Sequence, residues 1–231
     1  YNPEKVYTYE WTNENGDILG NTTSIDVTAS GTYFVTATST DGNGCSKTET
    51  VTVKDSDIAI IESEDIYIID SSDNNSITIN NENQALGIGD YEFSLLDEYG
   101  AIVKDFQDES RFENLEIGVY KLRVRDKNGC GISEKDISLL EFPKFFTPNN
   151  DGENDKWAIK GMTDFFVEGE ITIFNRYGQI ITSTTKADDL CWDGKNNGRK
   201  MPSTDYWFNV LLVDKYGAIR KKTGHFSLLR K

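Results

Sequence analysis

Along most of this chain apolar and polar side chains alternate with a period of two, the pattern of half-buried strands. Tyr91-Glu92-Phe93-Ser94-Leu95 and Gly118-Val119-Tyr120-Lys121-Leu122-Arg123-Val124 show it plainly. Tyr206-Trp207-Phe208-Asn209-Val210 repeats it near the end. One turn recurs between such runs: Asn13-Glu14-Asn15-Gly16, Asp97-Glu98-Tyr99-Gly100, Asn175-Arg176-Tyr177-Gly178 and Asp214-Lys215-Tyr216-Gly217. In each, an Asn or Asp opens the turn, a glycine takes φ > 0, and a β-former follows two positions later. That chemistry predicts a short hairpin loop with a glycine bulge.

A longer unit repeats as well. Gly31-Thr32-Tyr33 opens a strand that ends at Asn43-Gly44-Cys45, and Gly118-Val119-Tyr120 opens another that ends at Asn128-Gly129-Cys130. The order hairpin, connection, Gly-x-Tyr strand, turn, final strand therefore occurs twice. It predicts an all-β protein of tandem immunoglobulin-like β-sandwich units: residues 1–55, 56–141 and a last unit, 142–231. The first is short for a whole sandwich, so its opening strands are expected to be missing. The chain begins at Tyr1 inside strand-like sequence, as expected of the C-terminal piece of a longer protein.

Composition agrees with strands and tight turns. Aromatic residues make up 12% and there are 4 prolines, so compact cores are expected rather than disorder. The net charge of −15 is unevenly spread: residues 1–141 carry 28 acidic and 10 basic side chains, residues 142–231 carry 11 and 14. This change of sign marks a boundary between parts with different neighbours. The anionic total argues against nucleic-acid binding. No run of apolar residues is long enough for a membrane-spanning helix.

The last unit carries the most specific motifs. Phe145-Phe146-Thr147-Pro148-Asn149-Asn150-Asp151-Gly152-Glu153-Asn154-Asp155-Lys156-Trp157 opens it. Ile171-Thr172-Ile173-Phe174-Asn175-Arg176-Tyr177-Gly178, Trp192-Asp193-Gly194 and Tyr206-Trp207-Phe208 follow in order. In that order these pieces resemble the gliding-motility-associated C-terminal domain, the type B sorting domain of the type IX secretion system of Bacteroidota. The residues that carry the resemblance are Phe146, Pro148, Asn149, Asp151, Gly152, Asn154, Asp155, Trp192, Asp193 and Gly194. The resemblance implies an address read by the export machinery: an SprA-type translocon and a PorP/SprF-like outer-membrane partner. It also implies a cell-surface protein of the kind used in gliding or attachment. The front units resemble the Ig-like repeats of large Bacteroidota adhesins, which implies a stalk. On this reading the basic end and terminal strand are the expected partner contacts: Arg220, Lys221, Lys222, Phe226, Leu228, Arg230 and Lys231, with the strand engaged by edge addition.

Other chemistries compete with the address. Asn149, Asp151, Glu153 and Asp155 form a candidate oxygen set for Ca²⁺, though the glycine position departs from an EF-hand loop. The alternative is an Asx-rich turn whose side chains satisfy their own backbone. Trp192 is expected in the core, with carbohydrate stacking by Trp192 or Trp207 as the alternative; an exposed aromatic row would mark a carbohydrate-binding accessory module of a secreted hydrolase. Cys45, Cys130 and Cys191 are expected as buried small hydrophobes rather than a disulfide framework. The lone His225 lies in a strand pattern without a nucleophile elbow, so no enzyme is expected.

Overall fold

The computed structural model describes residues 6–41, 44–70, 74–186 and 190–230. Among them the protein is built from strands with one 3-10 turn, Ser63–Asp65, and no helix is long and apolar enough to cross a membrane. The chain forms two compact units, Tyr1–Asp57 and Ile58–Lys231.

The first unit holds β1 (Tyr7–Asn13), β2 (Ile18–Gly20), β3 (Gly31–Ser39) and β4 (Ser46–Val53) in one antiparallel sheet, in the order β2-β1-β3-β4. Its apolar residues are only half covered: Tyr33 is the one large hydrophobic among its described residues that is buried.

The second unit contains two separate hydrophobic cores. The front core lies between two sheets. One is β11-β10-β7-β8, from β7 (Tyr91–Asp97), β8 (Ile102–Gln107), β10 (Gly118–Asp126) and β11 (Ile132–Leu139). The other is β5-β6-β9, from β5 (Ile66–Ile69), β6 (Asn75–Ile79) and β9 (Arg111–Leu115). Alternate residues of β7 and β10, Phe93, Leu95, Leu122 and Val124, are fully buried against Ile77 and Ile79 of β6, as the period of two requires.

The rear core belongs to a five-stranded sheet, β12-β20-β19-β14-β15. Its strands are β12 (Phe145–Phe146), β14 (Phe166–Phe174), β15 (Ile180–Thr185), β19 (Thr204–Asp214) and β20 (Ile219–Leu228). Where a second full sheet was expected, the core is closed by the small ladder of β13 (Trp157–Ala158) with β16 (Cys191–Trp192). The pair β17 (Lys195–Asn196) and β18 (Arg199–Lys200) extends from it as a hairpin.

No spacer separates the cores: Leu139 is buried in the front one and its neighbour Leu140 in the rear one.

The recurring turn is the same device in all four places. The opening side-chain oxygen accepts from two backbone amides, two and four residues on. Asn13 Oδ1 takes Asn15 and Asp17 at 3.0 and 2.9 Å; Asp97 takes Tyr99 and Ala101 at 2.9 and 2.8 Å. Asn175 takes Tyr177 and Gln179 at 2.9 and 3.1 Å; Asp214 takes Tyr216 and Ala218, each at 2.9 Å. The fourth residue must reverse the chain with positive φ, and its glycine lies between +76° and +84° in all four.

A second device was not read from the sequence. Tyr33, Tyr120 and Tyr206 each donate their phenolic hydroxyl to the carbonyl four residues upstream, Ala29, Glu116 and Pro202, at 2.8, 2.9 and 3.0 Å. This is the tyrosine corner of immunoglobulin-like sandwiches, found in the first unit and beside each of the two cores of the second.

Candidate functional site: the C-terminal domain

The motifs of the last unit converge on one aromatic core. Phe226 and Phe146 are completely buried, and so is Trp157. Trp157 stacks on Phe226 with ring centroids 4.4 Å apart, and Trp192 meets Tyr206 edge-on at 4.8 Å. Burying an indole leaves its N–H to be satisfied. Trp157 Nε1 donates to the Pro143 carbonyl at 2.8 Å and Trp192 Nε1 to the Lys195 carbonyl at 2.7 Å. Trp192 is therefore a core residue and cannot stack on a sugar. The glycine after Asp193 has a steric reason. Gly194 has φ +75°, and a Cβ there would lie 2.9 Å from both Leu228 Cδ1 and Arg230 Nη2. Asp193 itself turns the chain, its Oδ1 accepting from the Lys195 amide at 3.0 Å.

The Asx-rich loop caps itself. Asp155 accepts from the Asn150 and Gly152 amides at 2.6 and 2.9 Å. Asn149 Oδ1 accepts from the Asp151 amide at 3.0 Å, and Asp151 Oδ1 from the Glu153 amide at 2.8 Å. Asn154 sends its carbonyl to the Thr147 amide at 2.7 Å, and Asn150 and Asn154 hold positive φ. Of the four residues in the calcium set, Asn149, Asp151 and Asp155 turn their oxygens to N–H groups of their own loop. Among the described residues no group of three or more His, Cys, Asp or Glu side chains is placed to hold a metal ion.

The structure divides the expected partner contacts. Phe226 and Leu228 are completely buried: they point inward from β20 because Tyr206 and Thr204 face them across the ladder. They correct the expectation of surface anchors. Arg230 is turned inward onto the Met201 and Gly194 carbonyls, at 3.0 and 2.8 Å. Lys221 is exposed, and Lys231 lies outside the described residues. The edge of β20 away from β19 pairs only with the two residues of β12 among the described residues.

Arg220 and Lys222 face the front domain. Arg220 Nη1 lies 3.4 Å from Asp70 Oδ2 and donates to the Ser138 carbonyl at 2.9 Å. Asp70 Oδ1 accepts from the Leu140 amide at 3.0 Å, and Lys222 Nζ reaches the Asp70 carbonyl at 3.3 Å. Burial pushes the Asp70 carboxyl above its ordinary range, opposed by Arg220, the Leu140 amide and Lys222. Burial likewise lowers Arg220, opposed by Asp70. A second contact joins Lys215 and Tyr216 to Asp136. Asp70 and Asp136 were missed in the sequence; the available signal was a lone carboxylate closing the apolar run Ile66-Tyr67-Ile68-Ile69.

Two further expectations change. Cys45 and Cys130 are exposed rather than buried, and Cys191 is half-buried. Trp207 projects from the outer face of β19 with 41% of its surface exposed, beside His225 at a ring distance of 6.4 Å.

Comparison with known proteins gives this region a family. The model of the CHU_C Type IX secretion signal domain matches residues 140–228, a span that begins at the first residue of the rear core. No curated protein matches the chain. Among solved structures, a tetra-tandem repeat in the extending region of a large adhesion protein is 15% identical, with 99% of this chain and 68% of that one covered and a TM-score of 0.26. Dimeric latent PorU from Porphyromonas gingivalis is 10% identical over 98% and 30%, at 0.32. The FN1–FN3 domains of chicken CNTN1 are 16% identical over 97% and 91%, at 0.26. The functional reading rests on the family match, which is to a sorting domain and not to an enzyme. The C-terminal region of this chain, residues 140–228, matches the CHU_C Type IX secretion signal domain, and the protein is secreted by that pathway.

Proposed function

We propose that residues 142–231 are the part of this protein read by the type IX machinery, and that units 1–55 and 56–141 are stalk domains of a gliding or attachment adhesin. The observation that carries the reading is the family match itself, over a region whose motif segments supply Phe146, Trp157, Ile171, Trp192 and Tyr206 to one core. The readers are an SprA-type translocon and a PorP/SprF-like outer-membrane protein. The surface offered to them is the open edge of β20 with the outward side chains Lys221 and His225. Extended partner segments add to such edges through main-chain hydrogen bonds. Arg220 and Lys222 are engaged with the front domain and belong to presentation of the signal rather than to its first contact.

The test is surface display of a fluorescent passenger fused ahead of the whole chain in a type IX-competent Bacteroidota cell. A matched fusion ends at Glu141. Display that needs the C-terminal domain and falls with Lys221→Glu plus His225→Glu supports the reading. Equal display of the truncated fusion removes the signal from this domain, and full display of the double variant removes it from this edge.

A further inference from the structure

The sheet of the first unit matches one sheet of the front domain. The two share strand order, β2-β1-β3-β4 against β8-β7-β10-β11, and they share register residue by residue. Tyr33 faces Asn13 and Val51, as Tyr120 faces Asp97 and Ile137. Ser39 faces Tyr7 as Asp126 faces Tyr91. The tyrosine corners and the Asx hairpins coincide in this alignment. The equivalence extends to the entry of the first strand, where the Thr40 amide donates to the Val6 carbonyl as the Lys127 amide donates to that of Asp90.

Side-chain chemistry follows the alignment. One face of the first sheet carries Thr8, Glu10, Thr36, Thr38 and Thr48 with Phe34 among them; on the other, edge strand β4 places Lys47 and Glu49 where the front domain has Ser133 and Lys135, and the apolar set is Tyr9, Trp11, Val35, Ala37 and Val51. The apolar set occupies the places of Phe93, Leu95, Leu122, Val124 and Ile137. Those five are at most 2% exposed, whereas Val51 is 41% exposed and the other four are half-buried. The front-domain face shares one core with residues of β5, β6 and β9, whereas the described residues of the first unit hold a single sheet. Volumes are compensated across the face. Trp11 is larger than Leu95, while Val35 and Ala37 are smaller than Leu122 and Val124, so a cover of similar thickness fits both. Counting back from the tyrosine corner, Ile25 aligns with Phe112 of β9 and is half-buried, although residues 24–28 form no strand.

We propose that the face bearing Tyr9, Trp11, Val35 and Val51 is the inner face of a sandwich, covered by an antiparallel strand pair of the β5–β6 type. The pair alternates Ile or Val with polar residues and is supplied by the same polypeptide ahead of β1. The position comes from the equivalent domain, where β5 and β6 precede β7 and reach it through Asp90, the counterpart of Val6. A sheet with one apolar face gains its stability from such a cover.

The test grafts residues 58–90 of this chain directly in front of Tyr7, leaving the rest intact. Amide exchange in β1, β3 and β4 is expected to slow by about 100-fold or more, as opening shifts from local fraying toward cooperative unfolding. Trp11 emission shifts to the blue, the product stays monomeric, and Ile77→Asp within the graft abolishes both effects. A second graft with Ile68→Val and Ile77→Val makes room for Trp11, so misfit cannot account for failure of both. If neither graft changes exchange or Trp11 accessibility, the proposal is overturned. It is equally overturned if the ungrafted chain already shields Trp11 as a dimer that Val35→Asp dissociates, because a second copy is then the cover.

Discussion

Removing the guanidinium of Arg220 isolates the contribution of the charge pair that joins the C-terminal domain to the domain before it. Asp70 keeps only 5% of its side chain exposed and Arg220 20%, with 3.4 Å between Oδ2 and Nη1. Two unit charges about 4 Å apart at an effective dielectric constant near 20 attract by about 4 kcal/mol. Burial has shifted both groups toward their neutral forms, Asp70 up and Arg220 down, so desolvation offsets most of that attraction. The pair fixes how the domains dock more than it stabilises them. Arg220→Met should then cost about 3–4 kcal/mol at pH 7.5, because Asp70 is left buried without its counter-charge. The sign of the pH dependence follows from the raised carboxyl. Its contribution is fully present below the unfolded value of 3.8 and is lost as pH rises through the folded value. The cost of Arg220→Met should therefore shrink as the solution is taken from pH 7.5 toward 4. In Asp70→Asn/Arg220→Met both charges are gone and the Leu140 amide keeps an acceptor. That double variant should lie within about 1 kcal/mol of the parent, the residue being the orphaned Ser138 carbonyl. Urea unfolding of the whole chain reads this out through Trp157 and Trp192 emission in a Trp11→Phe, Trp207→Phe background. A pH-independent cost for Arg220→Met, or a double variant as unstable as the single, would refute the reasoning.

Three other predictions follow from single contacts. Tyr206→Phe removes the hydrogen bond from the buried phenol to the Pro202 carbonyl and should cost about 1 kcal/mol, measured by the same unfolding; no loss would show that the corner merely accompanies the fold. Gly194→Ala combines positive φ with two contacts at 2.9 Å and should cost about 2 kcal/mol or more, against about 1 kcal/mol for Gly217→Ala, where nothing lies within 4 Å. Asp155→Ala frees two loop amides and should cost about 1 kcal/mol, while millimolar Ca²⁺ leaves the melting temperature of the parent unchanged; a calcium-dependent rise lost in Asp155→Ala would restore the metal reading of this loop.

Local chemistry made much of this protein legible before folding. An Asx side chain and a glycine three residues later contain everything the hairpin needs, so all four turns were fixed by composition at short range. Period-two alternation likewise placed β7, β10 and β19, because which face is buried is decided residue by residue along a strand. Trp192-Asp193-Gly194 and the Asx-rich segment marked the kinship of the C-terminal domain for the same reason. What only the tertiary structure decided involves partners far apart in sequence. Phe226 and Leu228 alternate like any strand pair, and nothing local says that theirs is the inner side; facing Tyr206 across β19 settles it. Arg220 reads as a surface cation until Asp70, 150 residues earlier, takes it up. The oxygens of Asn149, Asp151 and Asp155 serve ion or amide equally well in composition, and the path of the loop aimed them at its own N–H groups. The first unit shows the same division. Its sequence wrote an apolar face, but whether that face is a core depends on a second sheet, and burial is a property of the pair of surfaces rather than of either one.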